Sequence, residues 1–284
     1  MKRFSLLLAT AILAPVVVGC SPPPNTTDTG TSNDSGTVTD SGTVTDMGTV
    51  TDSGTESDAA SDAGSRCPSD AGAGDAGGYY LPPGCFTLTP FLSPTPIHEF
   101  AEAEMGIEPG KDYAVVIETF NPPDSGGIET TGRIVLDLTE VETPITVNSF
   151  VFLARNHFYD GIKFHRVIEG FVAQGGDPNT LTGARTTWGT GGPGYMFTTE
   201  SVSTLRFDTI GVLGMARAMS RESNGSQFFI TLAPTTSLNG MYTVFGRVIE
   251  GIDVLATIRR NATMTTPPMT PTEMARVYIV ERPL

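Results

Sequence analysis

The run Phe164-His-Arg-Val-Ile-Glu-Gly-Phe-Val-Ala-Gln-Gly-Gly-Asp-Pro178 divides itself into elements. Lys163–Arg166 and Gly170–Gln174 are short β-prone segments. Gly175 and Gly176 let another backbone approach closely, and Asp177 holds a turn. Phe164 reads as core. Arg166 is a single basic residue in an apolar neighbourhood, and such an arginine is ordinarily solvated or salt-bridged at the surface.

Working outward, Leu213–Ala216, Gln227–Leu232, Thr243–Val248 and Arg276–Val280 are further β-prone segments. Upstream, Tyr113–Ile117 and Arg133–Leu138 read as strands, with Ile134, Leu136 and Leu138 facing one way. Asn121-Pro-Pro-Asp-Ser-Gly-Gly127 between them is turn material, which predicts a hairpin with a long loop. Pro144 opens a helix in which Val147, Phe150, Val151 and Ala154 share a face. A second helix is expected over Ile252–Arg259. In the Pro-rich stretch 86–110, Ile97, Phe100, Ala101 and Met105 fall on one helical face. The pattern predicts a mostly β, closed antiparallel barrel with two helices.

Composition separates this domain from what precedes it. Of the 284 residues, 21–80 contain no Leu or Ile, and the first aromatic after the leader is Tyr79. Such a stretch cannot bury enough apolar surface to offset the entropy of ordering it. Asp34, Asp40, Asp46, Asp52 and Asp58 recur every six residues, with Gly36, Gly42, Gly48 and Gly54 in step. This reads as a flexible stalk spanning on the order of 45 Å. The alternative is a calcium-binding solenoid, whose period and order it does not match. The net charge is −14, and the stalk holds a large share of it. Nothing resembles a basic nucleic-acid footprint.

Met1-Lys2-Arg3 followed by an apolar run to Val18 reads as a signal-peptide core. Val17-Val18-Gly19-Cys20 resembles the bacterial lipobox, which implies acylation of Cys20 and a membrane anchor. An ordinary secretory signal with an incidental cysteine is the alternative. Ser21 resembles the sorting position of outer-membrane lipoproteins. Cys67 and Cys85 then remain, either as a disulfide at the linker–domain junction or as two free thiols. The organisation expected is a signal peptide over 1–19, a lipidated acidic linker over 20–85, an extension over 86–110 and the domain over 111–284.

The opening run, with Gly189-Thr-Gly-Gly-Pro-Gly-Tyr195, Gly214-Met-Ala-Arg-Ala218, Asn224-Gly-Ser-Gln-Phe-Phe-Ile230 and Leu238-Asn-Gly-Met-Tyr-Thr-Val-Phe-Gly246, resembles the cyclophilins in several motifs taken in order. The resemblance runs from about Lys111 to the C-terminus. It implies an eight-stranded barrel capped by two helices, with a proline-binding groove on its outside. It also implies peptidyl-prolyl cis/trans isomerase activity with no metal and no cofactor. Arg166 matches the family's catalytic arginine, with Gln174 and Phe229 beside it. Phe171, Val172, Ala216, Arg217, Ala218, Gln227, Leu238 and Tyr242 match groove positions. His165 is then structural, because isomerisation moves no proton.

The chain departs from the family's pattern at Ser237, where well-known members have a groove tryptophan, at Tyr242, where many have histidine, and at Val172, where methionine is commoner. The loop Asn179–Trp188 and the hairpin loop 120–131 are insertions. Trp188 reads either as a lid or as a packed side chain. The function expected is a monomeric prolyl isomerase acting on proline-containing polypeptides in a bacterial cell envelope, lipid-anchored at the outer membrane. The alternatives are a non-catalytic proline-binding module and a stalked adhesin.

Overall fold

The computed structural model describes residues 74–123, 129–261 and 270–284. The leader, Cys20, the six-residue repeat, Cys67 and the tip of the predicted hairpin loop lie outside the described residues. In chain order the elements are β1 (Gly74–Ala76), β2 (Tyr79–Leu81), β3 (Thr87–Leu88), β4 (Lys111–Asn121), β5 (Thr130–Leu138), α1 (Pro144–Arg155), β6 (Arg166–Val167), β7 (Val172–Gly175), α2 (Asn179–Thr182), β8 (Val212–Arg217), β9 (Asn224–Thr231), β10 (Val244–Glu250), α3 (Val254–Thr257) and β11 (Glu273–Pro283).

β1 and β2 form a small antiparallel ribbon, and the other nine strands form one sheet in the order β3-β11-β4-β5-β10-β8-β9-β7-β6. The mostly β expectation holds; the closed eight-stranded barrel does not. The main sheet has nine strands, and among the described residues no ladder joins its edges β3 and β6. The ninth is β3, contributed by the Pro-rich extension and paired to β11 through Val280↔Leu88 and Glu281↔Thr87. At the other edge the segment before β6 meets β11 and the residue before it through scattered bonds and one isolated bridge, Lys163↔Glu273. Gly161 N–H donates to Met274 O at 2.7 Å and Phe164 N–H to Thr272 O at 2.9 Å. β6 has two residues and β11 shifts register between Met274 and Arg276, so too few aligned groups remain for a ladder.

The concave face carries the main core. Tyr113, Val115 and Ile117 alternate with Ile134, Leu136 and Leu138 across the β4–β5 pair, and helix α1 covers them with Val147, Phe150, Val151 and Ala154. Ala114, Val116 and Val135 point to the other face with Tyr278 and Val280. There they are covered by Tyr79, Tyr80, Leu81, Phe86 and Leu88. Strands therefore begin at Gly74, within the stretch read as linker to residue 85. Burial on both faces is why 113–117 reads as a continuous apolar run.

The helix expected around Ile97–Met105 is absent: this segment is irregular and lies along α1. Phe100 donates its N–H to Pro193 O at 2.8 Å and sets its ring edge-on to Phe152. Asn148 Oδ1 accepts the Gly106 N–H at 2.6 Å. These bonds commit the backbone outward and leave no ladder of i to i−4 partners. The second helix is a single turn, Val254–Thr257, shorter than the expected Ile252–Arg259, because Ile258 is already extended.

Candidate active site

Register builds the site. Arg166 lies opposite Gln174 on β6–β7, Gln174 opposite Phe229 on β7–β9, and Phe229 opposite Gly214 on β8–β9. Directly opposed residues project to the same face, so the first three side chains stand in a row on the convex side. Their strand neighbours Val167, Ala173, Phe228 and Met215 point into the main core and anchor the row.

A second apolar cluster lies beside this row. Val172, Phe207, Ala216 and Phe229 form its buried part, with Phe171, Leu238 and Tyr242 packed against it. The Phe229 ring is edge-on to Tyr242, with centroids 5.7 Å apart, and tilted against Phe207 at 5.4 Å. Gly214 makes room for both: a Cβ there would stand 2.7 Å from Phe229 Cε2 and 2.7 Å from Phe207 Cε1.

The polar side is a chain of amides. Arg166 Nη1 donates to Gln174 Oε1 at 3.5 Å, Gln174 Nε2 to Gln227 Oε1 at 3.0 Å, and Gln227 Nε2 to Gly191 O at 2.8 Å. Such a chain fixes the amide rotamers and leaves the guanidinium lightly held. No carboxylate among the described residues pairs with Arg166. Burial pushes its pKa down, opposed by the nearby Tyr242 hydroxyl. The Phe171 ring lies beside it as well, 5.8 Å from guanidinium carbon to ring centroid. The result is a partly desolvated cation beside an apolar cluster.

The structure thus gathers Arg166, Gln174, Phe229, Phe171, Val172, Ala216, Gln227, Leu238 and Tyr242. Ala218 is exposed and outside the apolar cluster. Arg217 turns its side chain along the rim, donating to Ala218 O at 2.9 Å and to Met241 O at 2.9 Å. Phe207 is the groove residue that sequence reasoning missed. It is fully buried, and its N–H donates to Asn239 Oδ1 at 2.7 Å. The apolar spacing of Leu205 and Phe207 was its only signal. Trp188 is not a lid: it is buried, and its indole N–H donates to Gly183 O at 3.1 Å within its own loop. Ser237 is exposed on the short 3-10 turn Thr236–Leu238. His165 is buried, and burial pushes its pKa down to about 4, so its ring is neutral at pH 7. Cys85 is disulfide-bonded, to a partner outside the described residues.

Comparison with known proteins gives a consistent result. The family described as "Cyclophilin type peptidyl-prolyl cis-trans isomerase/CLD" matches residues 127–279. Mouse peptidyl-prolyl cis-trans isomerase-like 1 is 43% identical over 145 residues, covering 50% of this chain and 82% of that protein. Peptidyl-prolyl cis-trans isomerase B of Bacillus subtilis is 43% identical over 126 residues, covering 44% and 82%. A crystal structure of a Cryptosporidium parvum cyclophilin type isomerase, determined in the presence of the dipeptide Ala-Pro, is 31% identical with a TM-score of 0.48, covering 58% of this chain and 98% of that one.

Proposed function

The chain belongs to the cyclophilin-type peptidyl-prolyl cis-trans isomerase family and is an enzyme of that class, and from this premise we propose that it accelerates rotation about X-Pro bonds in exported polypeptides, with Arg166 stabilising the twisted imide. The observation that carries the mechanism is the row Arg166–Gln174–Phe229, a cation without a carboxylate partner beside an apolar floor.

A prolyl peptide bond is planar through amide resonance, with a barrier of about 18–20 kcal/mol. Twisting it localises the lone pair on the imide nitrogen, which then accepts a hydrogen bond. A guanidinium aimed at that nitrogen binds the twisted state better than the planar one. One charge-assisted bond of about 1.5–3 kcal/mol gives roughly 10- to 150-fold. The groove of Phe229, Val172, Phe171 and Leu238 adds to this, because the twisted amide is less polar than the planar one. Gln174 and the backbone at Arg217 hold the neighbouring carbonyl while the other side rotates.

The leader and the lipobox-like Val17-Val18-Gly19-Cys20 support an exported monomer acylated at Cys20 and displayed from the outer membrane of a bacterium. Exchange of an Ala-Pro peptide by the full chain, beside Arg166→Ala, tests the mechanism. We expect the variant to lose roughly 10- to 150-fold. Equal rates would overturn the role of Arg166. Peptide binding without acceleration by either form would identify a proline-binding module.

A further inference from the structure

Several arginines described on this acidic protein are matched by carboxylates. Arg276 meets Glu118 at 2.6 Å, Arg282 meets Asp112 at 2.6 Å, and Arg260 pairs with Glu169. Arg166, Arg217 and Arg221 at the groove have no carboxylate within ion-pair distance among the described residues, and neither do Arg133, Arg185 and Arg206 elsewhere; what sets the groove apart is how Arg217 is held.

Arg217 is the most constrained of the three. Its Nε and Nη2 donate to Met241 O at 3.2 and 2.9 Å, and its Nη1 to Ala218 O at 2.9 Å and Met219 O at 3.0 Å. Its guanidinium carbon lies 4.9 Å from the centroid of Tyr242, whose ring stands edge-on to Phe229. Each of these partners is a neutral carbonyl or a ring, so the fork is fixed with no carboxylate to compensate its charge. Arg221 reinforces it from the adjoining loop, donating to Gly240 O at 3.1 Å. The acidic side chains on the neighbouring loops, Asp208 and Glu222, are exposed, and among the described residues neither lies within ion-pair distance of a cation. The rim is therefore a local positive field on a domain of opposite overall sign.

We propose that Arg217 is a specificity-determining residue that directs the isomerase towards proline segments carrying Asp or Glu beside the prolyl bond. This rests on the prolyl-isomerase reading of the groove. A client carboxylate on the rim meets a cation whose side-chain entropy is already lost, and it can accept the Nη2 hydrogen that the carbonyls leave unused. A client lysine or arginine meets like charge. The arginine also backs Tyr242, so the charge and the wall of the groove come from one side chain.

The test compares kcat/KM for three peptides with Glu, Ala or Lys flanking the proline, using the full chain at low and high salt. The expected order is Glu, then Ala, then Lys, with roughly two- to fivefold per step at low salt and compression as salt screens the rim. Arg217→Gln should bring the Glu-to-Lys ratio close to one, and Arg217→Lys should restore most of it by restoring charge. A wild-type ratio near one at low salt overturns the inference, and so does a ratio that survives Arg217→Gln. In either case, acceleration of the Ala peptide that is lost in Arg166→Ala leaves the isomerase reading standing. Failure to accelerate any peptide overturns both.

Discussion

An added Cβ at Gly214 would stand 2.7 Å from carbons of both Phe229 and Phe207, neither of which can retreat without disturbing the cluster beneath. Gly214→Ala should therefore push the Phe229 ring towards the groove. We expect a loss on the order of tenfold or more in kcat/KM for an Ala-Pro peptide, with about 1–3 kcal/mol of destabilisation in urea melts. Retained activity in a stable variant would show that the ring's position is not critical. His165 gives a second residue-level prediction. Its pKa is about 4 in the folded protein against an ordinary value of 6.5, because burial opposes charging it and Arg166 adds to that, while Asp177 pulls the other way. The unfolded chain thus binds more protons between these values, so this stabilisation is complete above pH 6.5 and fades as pH falls towards 4. The loss is on the order of 3 kcal/mol. Glu140, raised to about 7 by burial, runs in the opposite sense, favouring the folded state as pH falls from 7 towards 4.5; it is partly solvated, so screening weakens its effect. Burial also raises Asp137 and Asp160, so urea melts of Glu140→Gln from pH 7 to 4 are compared with those of Glu140→Gln/His165→Gln, and identical profiles would contradict burial of His165 as a neutral ring. At this scale Arg166 was legible only through its motif, since one arginine in an apolar run carries no intrinsic sign of catalysis. Phe207 was hidden because nothing local marks a phenylalanine as groove floor rather than core.

Helix α1 starts at Pro144 with no side-chain cap from Thr143. A carboxylate distant in sequence supplies the missing acceptors. Glu200 takes the Ile145 N–H at 3.1 Å on one oxygen and the Thr146 N–H at 2.8 Å on the other, where a negative charge also suits the helix dipole. Glu200→Ala should cost about 1 kcal/mol, read as a lower urea midpoint at unchanged slope. An unchanged midpoint would mean that water caps the helix equally well. The same element shows why periodicity succeeded in one place and failed in another. Val147, Phe150, Val151 and Ala154 repeat at helical spacing and are buried as a helix. Of Ile97, Phe100, Ala101 and Met105, only Phe100 is partly buried; the other three are exposed, and it is Phe100, Ala103 and Ile107 of an irregular chain that pack against the core. Spacing alone cannot separate these cases; backbone bonding does, and it depends on partners such as Pro193 and Asn148 far along the chain. Barrel closure failed for a related reason. It depends on how many groups align between β6 and β11, which a two-residue strand beside a bulge does not supply.

At the scale of the whole molecule, the sequence holds three cysteines, Cys20, Cys67 and Cys85. Cys85 sits where the chain leaves the β1–β2 ribbon for β3, and it is disulfide-bonded. Its partner must be Cys20 or Cys67, since the sequence holds no other thiol. Acylation through a thioether would consume the thiol of Cys20 and leave Cys67. The lipid anchor and the Cys67–Cys85 bridge are therefore one proposal with two readouts. In membrane-derived protein, unreduced peptide mapping should join the segments around Cys67 and Cys85, and the mature N-terminus should carry acyl chains on Cys20. Cys20→Ala should move the protein from the membrane pellet to the soluble fraction, with rates on an Ala-Pro peptide unchanged, because Cys20 is not among the residues of the groove. Cys67→Ser should lower stability by up to about 3 kcal/mol through the loosened loop, and most of that should be lost locally, around Tyr79–Leu81. There the Tyr80 N–H donates to Tyr278 Oη at 2.9 Å and the Arg133 guanidinium lies 3.8 Å from the Tyr80 ring centroid. Hydrogen exchange confined to that patch would agree with a bridge that fastens the stalk to the outer face of the sheet. A Cys20–Cys85 crosslink in the mature protein would overturn the bridge and the anchor together, because an acylated cysteine cannot form it.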